Sequence, residues 1–175
     1  INCHDDEQTN TKINLLPYQN KTVLKMSFME NGGKFYYKSN YITTKMGILG
    51  NKSGSGKSFC ILERILNQTM LPKKILPKKI LGNFVKIFQR ELVYLKANII
   101  VLPSMLLNQW TMYITNYTHL KTIIIDHNQN LKILLENILH NDNDIILIVD
   151  TIFNKFSEYI NSERNNLIFS RIVFD

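Results

Sequence analysis

Residues 51–58, with the sequence Asn-Lys-Ser-Gly-Ser-Gly-Lys-Ser, limit what this chain can fold into more than any other segment. Gly54 and Gly56 allow a tight turn in which backbone N–H groups approach an anion closely. The apolar spacing that follows predicts a helix over 57–68, whose first N–H groups and dipole favour phosphate. A short apolar run at 46–49 predicts a buried strand before the turn. Together these features predict a strand, a phosphate-binding loop and a helix.

The side chains of this segment suit a nucleoside triphosphate bound with magnesium. Lys57 would reach the β- and γ-phosphates, and the Ser58 hydroxyl would bind Mg²⁺. Lys52, Ser53 and Ser55 complete the loop whose backbone would surround the phosphates.

Downstream of the loop, short apolar runs alternate with segments of helical periodicity. Strands of four to six residues that alternate with helices of about ten indicate βαβ units and a parallel sheet. The predicted fold class is therefore α/β, with a mostly parallel sheet and helices on both faces. The predicted strands are 98–102, 121–125, 144–149 and 171–174, and the predicted helices are 104–116, 130–139 and 151–160.

The length of 175 residues and the hydrophobic content of 45% predict one domain with a sizeable core. Residues 1–14 are interpreted as a lead-in and 15–175 as the domain. A helix is predicted over 16–29, and a loop or short hairpin over 31–41. The segment 71–80 contains Leu-Pro-Lys-Lys-Ile twice. A solvated loop is the first interpretation of this repeat, and a nucleic-acid contact is the alternative.

Charge and cysteine usage bear on partners and compartment. The net charge of +7 favours a polyanionic partner such as nucleic acid, although an AT-rich coding bias also explains 17 lysines against 4 arginines. Cys3 and Cys60 form no paired motif, which favours a reducing intracellular compartment. The Cys3-His4 pair lacks the second pair that a zinc site needs. The sequence shows no signal peptide and no apolar run of 18 residues, so we expect neither secretion nor a membrane span.

Two further segments could contact a ligand. The string Leu-Leu-Pro-Tyr-Gln ends at Gln19, 38 residues before Lys57, and a Gln amide can accept from adenine N6 while it donates to N7. Pro103 and Ser104 follow a predicted strand and begin a helix, where N–H groups and a hydroxyl suit a nucleic-acid phosphate. Ser104 is equally interpreted as a helix cap, and we expect Trp110 to pack in the core.

The last two candidate positions also follow predicted strands. Thr151, after Asp150, could cap the next helix or contact a backbone phosphate. Asp175 ends an apolar run, as the magnesium-binding carboxylate of phosphate-loop enzymes does.

In this order the elements resemble the Gln motif, motif I, motif Ia, a motif Ib-like Thr and the start of motif II of superfamily 2 helicases and translocases. The resemblance covers 15–175. The segment 45–50, the Pro-Ser-x-Leu-x-x-Gln-Trp string and the final Arg-Ile-Val-Phe-Asp are most similar to helicase-like ATPases of large DNA viruses. That group includes poxvirus-type transcription helicases and early-transcription-factor ATPases.

The resemblance implies the first RecA-like lobe of an ATP-dependent helicase or translocase, a phosphate-loop (Walker A) NTPase fold. It implies ATP and Mg²⁺ as cofactors, nucleic acid as partner with DNA favoured over RNA, and a viral transcription or replication complex. The resemblance implies a catalytic role for Lys57 and Asp175, and a metal-binding role for Ser58 and Asp175. It implies that Pro103, Ser104 and Thr151 contact nucleic acid. The implied nucleotide-binding residues are Gln19, Lys52, Ser53, Gly54, Ser55, Gly56, Lys57 and Ser58.

Some positions depart from the family pattern. Asn51 replaces the Gly or small residue that begins the loop, and Asp150 places an acidic group where a phosphate would approach. The Glu that orients the attacking water would follow Asp175, and the second lobe with its arginine finger is absent. The alternatives are a phosphate-loop kinase, which would need a lid with clustered arginines, and a non-motor ATP-dependent clamp or transcription-factor subunit.

We therefore expect the purified 1–175 chain to bind ATP without turning it over at a useful rate, because the water-orienting and charge-neutralising groups are missing. Phosphate release measured with and without DNA checks this expectation. Sustained hydrolysis by the purified chain would contradict it.

Overall fold

The fold comes from a computed structural model in which the chain divides into two compact units. Of the described residues, the first unit holds 13–67 together with Trp110–His119, and the second holds 93–109 and those that lie within Leu120–Asp175. Cys3, His4 and the repeat at 71–80 lie outside the described residues. The structure describes residues 13–67, 93–126, 131–140, 142–163 and 167–175.

The described residues of the first unit up to 67 form two helices and a hairpin. Helix α1 begins at Pro17, whose fixed φ suits a first helical position, and helix α2 begins directly after the glycine loop. The predictions of both helices and of a short hairpin are confirmed. The elements are α1 Pro17–Glu30, strand β1 Lys34–Tyr37, strand β2 Asn40–Thr43 and α2 Lys57–Leu66.

The strand predicted over 46–49 is wrong. The segment is irregular, and Met46 and Ile48 are 84% and 96% exposed. A strand needs a neighbour that accepts and donates its backbone hydrogen bonds. Among the described residues no strand pairs with this segment. Its apolar composition was therefore not sufficient to indicate a buried strand.

The second unit is a four-stranded parallel sheet with the strand order β4-β5-β3-β6. The alternation predicted from sequence is confirmed, and a short 3₁₀ turn over Ser104–Leu106 precedes helix α3, which is divided between the two units. The elements are β3 Val93–Leu102, α3 Leu107–Tyr117, β4 Thr122–Ile125, α4 Leu131–His140, β5 Ile145–Val149, α5 Asp150–Glu163 and β6 Leu167–Phe174.

The core of this unit surrounds β5, in which all five residues are buried. A parallel strand covered on both faces reads as a continuous apolar run, as Ile145–Val149 does. Helix α5 contributes Ile152, Phe156 and Ile160, which recur every fourth residue and so lie on one side of the helix. None of the described helices is both long and apolar enough to cross a membrane.

A polar cluster closes the amino end of the sheet. The Asp144 carboxylate pairs with Lys96 at 2.6 Å and accepts from the Lys121 N–H at 2.9 Å. The Asp144 carbonyl accepts from the side chain of Asn98, whose own carbonyl oxygen accepts from Arg171 at 2.6 Å. The hydrogen bond that Lys96 donates to the Asp144 carboxylate raises the pKa of Lys96 above its ordinary value. Buried Asn98 and Asp144 therefore hold β3, β5 and β6 in register.

We expect Asp144→Ala to lower the free energy of unfolding by about 1–3 kcal/mol, because the Lys96 ammonium and the Lys121 N–H lose a charged acceptor. Urea unfolding measures this loss, with Asp142→Ala as the exposed, charge-matched control that changes stability little. Because the pKa of Lys96 is raised, its ion pair with Asp144 contributes fully to the free energy of unfolding below about pH 10.5. This contribution is lost at higher pH, as the ammonium deprotonates. The variant should thus differ less from wild type at pH 11 than at pH 8, and an unchanged or larger difference would contradict the assignment.

Candidate functional site

The loop before α2 has the backbone of an anion-binding turn. Gly54 and Gly56 both adopt a φ of 76°, in the left-handed region that suits glycine. Gly56 is the N-cap of α2, and no side chain caps the helix there. The N–H groups of the first helical turn have no acceptor within the helix, so they remain available to a ligand. The arrangement fits an anion such as phosphate.

Lys57 brings its charge back over this loop. Its Nζ donates to the carbonyl of Asn51 at 3.0 Å and to the carbonyl of Lys52 at 3.3 Å. A Cβ built on Gly54 would meet no atom within 4 Å, so that part of the loop is open. An ammonium group beside uncapped N–H groups and open backbone is suited to phosphate oxygens, which can replace the carbonyl acceptors.

The side chains of Tyr18 and Gln19 hold the loop from α1. The Tyr18 hydroxyl donates to the Ser55 carbonyl at 3.1 Å, and Gln19 Nε2 donates to the same oxygen at 3.0 Å. Gln19 Oε1 accepts from the Leu16 N–H at 2.7 Å, and the residue is buried. In this arrangement the Gln19 amide positions the loop. Whether it also contacts adenine stays a prediction.

Two further contacts fix α1 and α2 to each other. Glu30 and Arg64 form an ion pair of 2.6 Å in which Arg64 is buried. The Cys60 thiol lies 3.9 Å from the Gln19 carbonyl, to which it donates. Burial raises the pKa of Cys60, so the group is a neutral thiol at neutral pH and has a packing role. These contacts give the glycine loop a rigid support on the side of Gln19.

Ser58 lies in the first turn of α2, where its hydroxyl was predicted to bind Mg²⁺. Ser55 has a buried hydroxyl oxygen that makes no hydrogen bond to the described residues. Lys52 and Ser53 are exposed in the loop. The described residues contain no group of three or more His, Cys, Asp or Glu that could hold a metal ion. A Mg²⁺ ion here would therefore depend on the nucleotide phosphates and on water, as it does in phosphate-loop sites.

In the second unit, the predicted positions meet at the carboxyl edge of the sheet. Ser104 follows β3, Thr151 is the second residue of α5 directly after β5, and Asp175 follows β6. The three strands are neighbours in the order β5-β3-β6, and all three residues are exposed. Ligands of open α/β sheets bind outside the carboxyl ends of the strands. Ser58 and Asp175, predicted to share Mg²⁺, belong to different units.

Asp150 has a local role that sequence reasoning missed. Its carboxylate accepts from the Thr151 N–H at 2.7 Å, so it neutralises the start of α5. The carboxylate of Asp150, which departs from the family pattern, is thus hydrogen-bonded to the backbone of its own helix. Pro103 precedes the 3₁₀ turn as its cap, and Trp110 is 1% exposed, which confirms its prediction as a core residue.

Tyr18 is a second residue whose role the sequence did not predict. It stands next to Gln19 in the quoted string, but nothing in the sequence predicts that its hydroxyl reaches a carbonyl 37 residues away. The buried Asn98, which links Asp144 to Arg171, was missed for the same reason.

Comparison with known proteins gives a match in structure but not in sequence. No protein-family model matches the chain, and no curated protein matches it. A solved structure described as the Sulfolobus solfataricus SWI2/SNF2 ATPase core in complex with dsDNA superimposes with a TM-score of 0.58 over 96% of this chain. The fold is that of a RecA-like lobe. The two chains are 19% identical, and the match spans 33% of the Sulfolobus chain, about a third of its length.

The contact between Gln19 and Gly56 yields a prediction for the loop. A Cβ on Gly56 would collide with Gln19 Nε2, whereas one on Gly54 meets open space although both glycines have the same φ. Each Ala substitution carries the left-handed strain of about 1–2 kcal/mol. We expect Gly56→Ala to destabilise the chain more than Gly54→Ala, because it also displaces the Gln19 amide.

A double-mutant cycle with Gln19→Ala separates the two effects. The additional cost of Gly56→Ala should disappear in the Gln19→Ala background, since the colliding atom is gone. Gly50→Ala is the control, because Gly50 has neither a positive φ nor a neighbour within 4 Å. Unfolding free energies that add independently would show that Gln19 does not support the loop.

Proposed function

We propose that this chain is the ATP-binding lobe of an ATP-dependent motor that moves along nucleic acid. The proposal rests mainly on the geometry of the loop. Two glycines with left-handed backbone, the uncapped N–H groups of α2 and the Lys57 ammonium lie together at one short turn. The RecA-like fold supports the proposal, since phosphate-loop NTPases have this fold and hold the triphosphate in such a loop.

In the proposed complex, the triphosphate occupies the loop between Gly54 and Lys57. The Lys57 ammonium exchanges the carbonyls of Asn51 and Lys52 for β- and γ-phosphate oxygens. The Ser58 hydroxyl would bind Mg²⁺, which neutralises charge on the phosphates. The assignment of Asp175 to the same ion stays a prediction from the sequence. Gln19 would then have two roles, since its amide supports Ser55 and would also contact the adenine.

The carboxyl edge of the sheet supports a nucleic-acid contact. Ser104 and Thr151 are exposed at the starts of their helices, where hydroxyl and N–H groups suit backbone phosphates. The Sulfolobus structure is described as a complex with dsDNA, which favours DNA as the partner in this proposal. In this proposal, ATP hydrolysis is an activity of the full-length protein. A viral origin and a transcription complex remain predictions from the motifs alone.

ATP binding by the 1–175 chain tests the nucleotide assignment. We expect Lys57→Ala to weaken Mg²⁺–ATP binding by about ten- to a hundredfold, because a charged hydrogen bond to phosphate is lost. Titration with a fluorescent ATP analogue measures the affinity. Lys25→Ala removes an exposed lysine from α1 and is the charge-matched control. Equal affinity of wild type and Lys57→Ala for Mg²⁺–ATP would contradict the assignment of Lys57 to phosphate binding.

A further inference from the structure

The hairpin of β1 and β2 presents aromatic side chains to solvent. Tyr36 and Tyr41 are direct cross-strand partners with ring centroids 6.1 Å apart, and they are 74% and 54% exposed. Lys34, which lies on the same face, places its Nζ 4.4 Å from the centre of the Tyr41 ring. Successive residues of a strand alternate between faces, so these three side chains form one surface. We call Lys34, Tyr36 and Tyr41 the tyrosine face.

The opposite face of the hairpin is tied to α1. Phe35 packs edge-to-face against Phe28, with ring centroids 5.4 Å apart. This contact holds the hairpin and leaves the tyrosine face open. At the tip, Tyr37 is 71% exposed, and Lys38 Nζ lies 5.6 Å from its ring centre. Soluble proteins rarely expose several large aromatic side chains together unless the surface binds a partner.

The charge around this face has one sign. From 31 to 58 the chain contains five lysines and no acidic residue. Lys34, Lys38 and Lys45 belong to the hairpin and its exit, and all three are exposed. A general coding bias toward lysine does not account for the absence of Asp and Glu over 28 residues. The surface therefore complements a polyanion.

We propose that the tyrosine face binds single-stranded nucleic acid. Bases would stack on Tyr36 and Tyr41, and the backbone phosphates would lie near Lys34, Lys38 and Lys45. A single strand is chosen over a duplex because paired bases keep their ring faces inside the helical stack. The inference rests on the proposed function for the class of partner, but it uses residues outside the nucleotide loop and the sheet edge.

A lipid surface is the less suitable partner for this hairpin. Insertion into a bilayer requires apolar side chains at the tip, whereas the turn here consists of Lys38 and Ser39. The tyrosine rings instead lie on one face of the hairpin, away from its tip, and they carry polar hydroxyl groups. Aromatic rings exposed on such a face can stack with bases.

Fluorescence anisotropy with a labelled 20-mer of thymidine tests the proposal on the full 1–175 chain. Replacing Tyr36 and Tyr41 together by Ser should weaken binding by about tenfold or more, because stacking surfaces are lost. Replacing the same two residues by Phe should retain affinity within about twofold, since the rings remain. Circular dichroism and thermal melting show that both variants fold, as the Phe28–Phe35 contact is retained in each.

Charge and ligand controls complete the experiment. The Gln variant of Lys34, Lys38 and Lys45 should bind more weakly and show a shallower dependence of affinity on salt. The apolar control, Leu24→Ser with Met112→Ser, removes exposed side chains elsewhere and should bind like wild type. A blunt duplex of the same length should lose little affinity when the tyrosines are changed to Ser.

Some outcomes would overturn the inference. Wild-type affinity of the folded Ser variant for the 20-mer would do so, as would equal sensitivity of the duplex. Binding to vesicles of phosphatidylcholine and phosphatidylserine that requires the tyrosines, without binding to the 20-mer, would assign the face to membranes instead. ATP binding separates this result from the proposed function. The proposed function stands if the hairpin variants bind ATP normally, and it fails if Lys57→Ala also binds ATP normally.

Discussion

The glycine loop before α2 depends on the side-chain amide of Gln19. One end accepts from the backbone at the start of α1, and the other donates to the Ser55 carbonyl. Both polar atoms of a buried side chain are therefore satisfied, which fixes its orientation. The Gly56 backbone fits against that amide only because it has no Cβ. The loop geometry is thus set by a residue 36 positions away as well as by its own glycines.

Much of the fold could be predicted from sequence because its determinants are local. The continuous apolar run of β5 and the four-residue spacing in α5 both express burial directly. The loop was predicted for a similar reason, since glycines and lysine at fixed spacing carry their own geometry. The strand predicted at 46–49 is wrong because strand formation needs a partner, which a single segment does not encode.

The features that sequence could not predict are contacts between distant residues. The ion pair of Lys96 with Asp144 and the hydrogen bond of Arg171 to Asn98 depend on how strands are ordered in the sheet. Tyr18 resembles any aromatic residue at a helix start until its hydroxyl is placed on Ser55. Periodicity therefore specifies which residues are buried, whereas strand order and helix packing specify their polar partners.

The hydrogen bonds of Lys57 have a consequence for the proposed binding of phosphate. Its ammonium has two carbonyl acceptors in the loop, so a phosphate oxygen would have to replace one or both of them. The net gain from such a contact would be the difference between two sets of hydrogen bonds, which is smaller than the full strength of either.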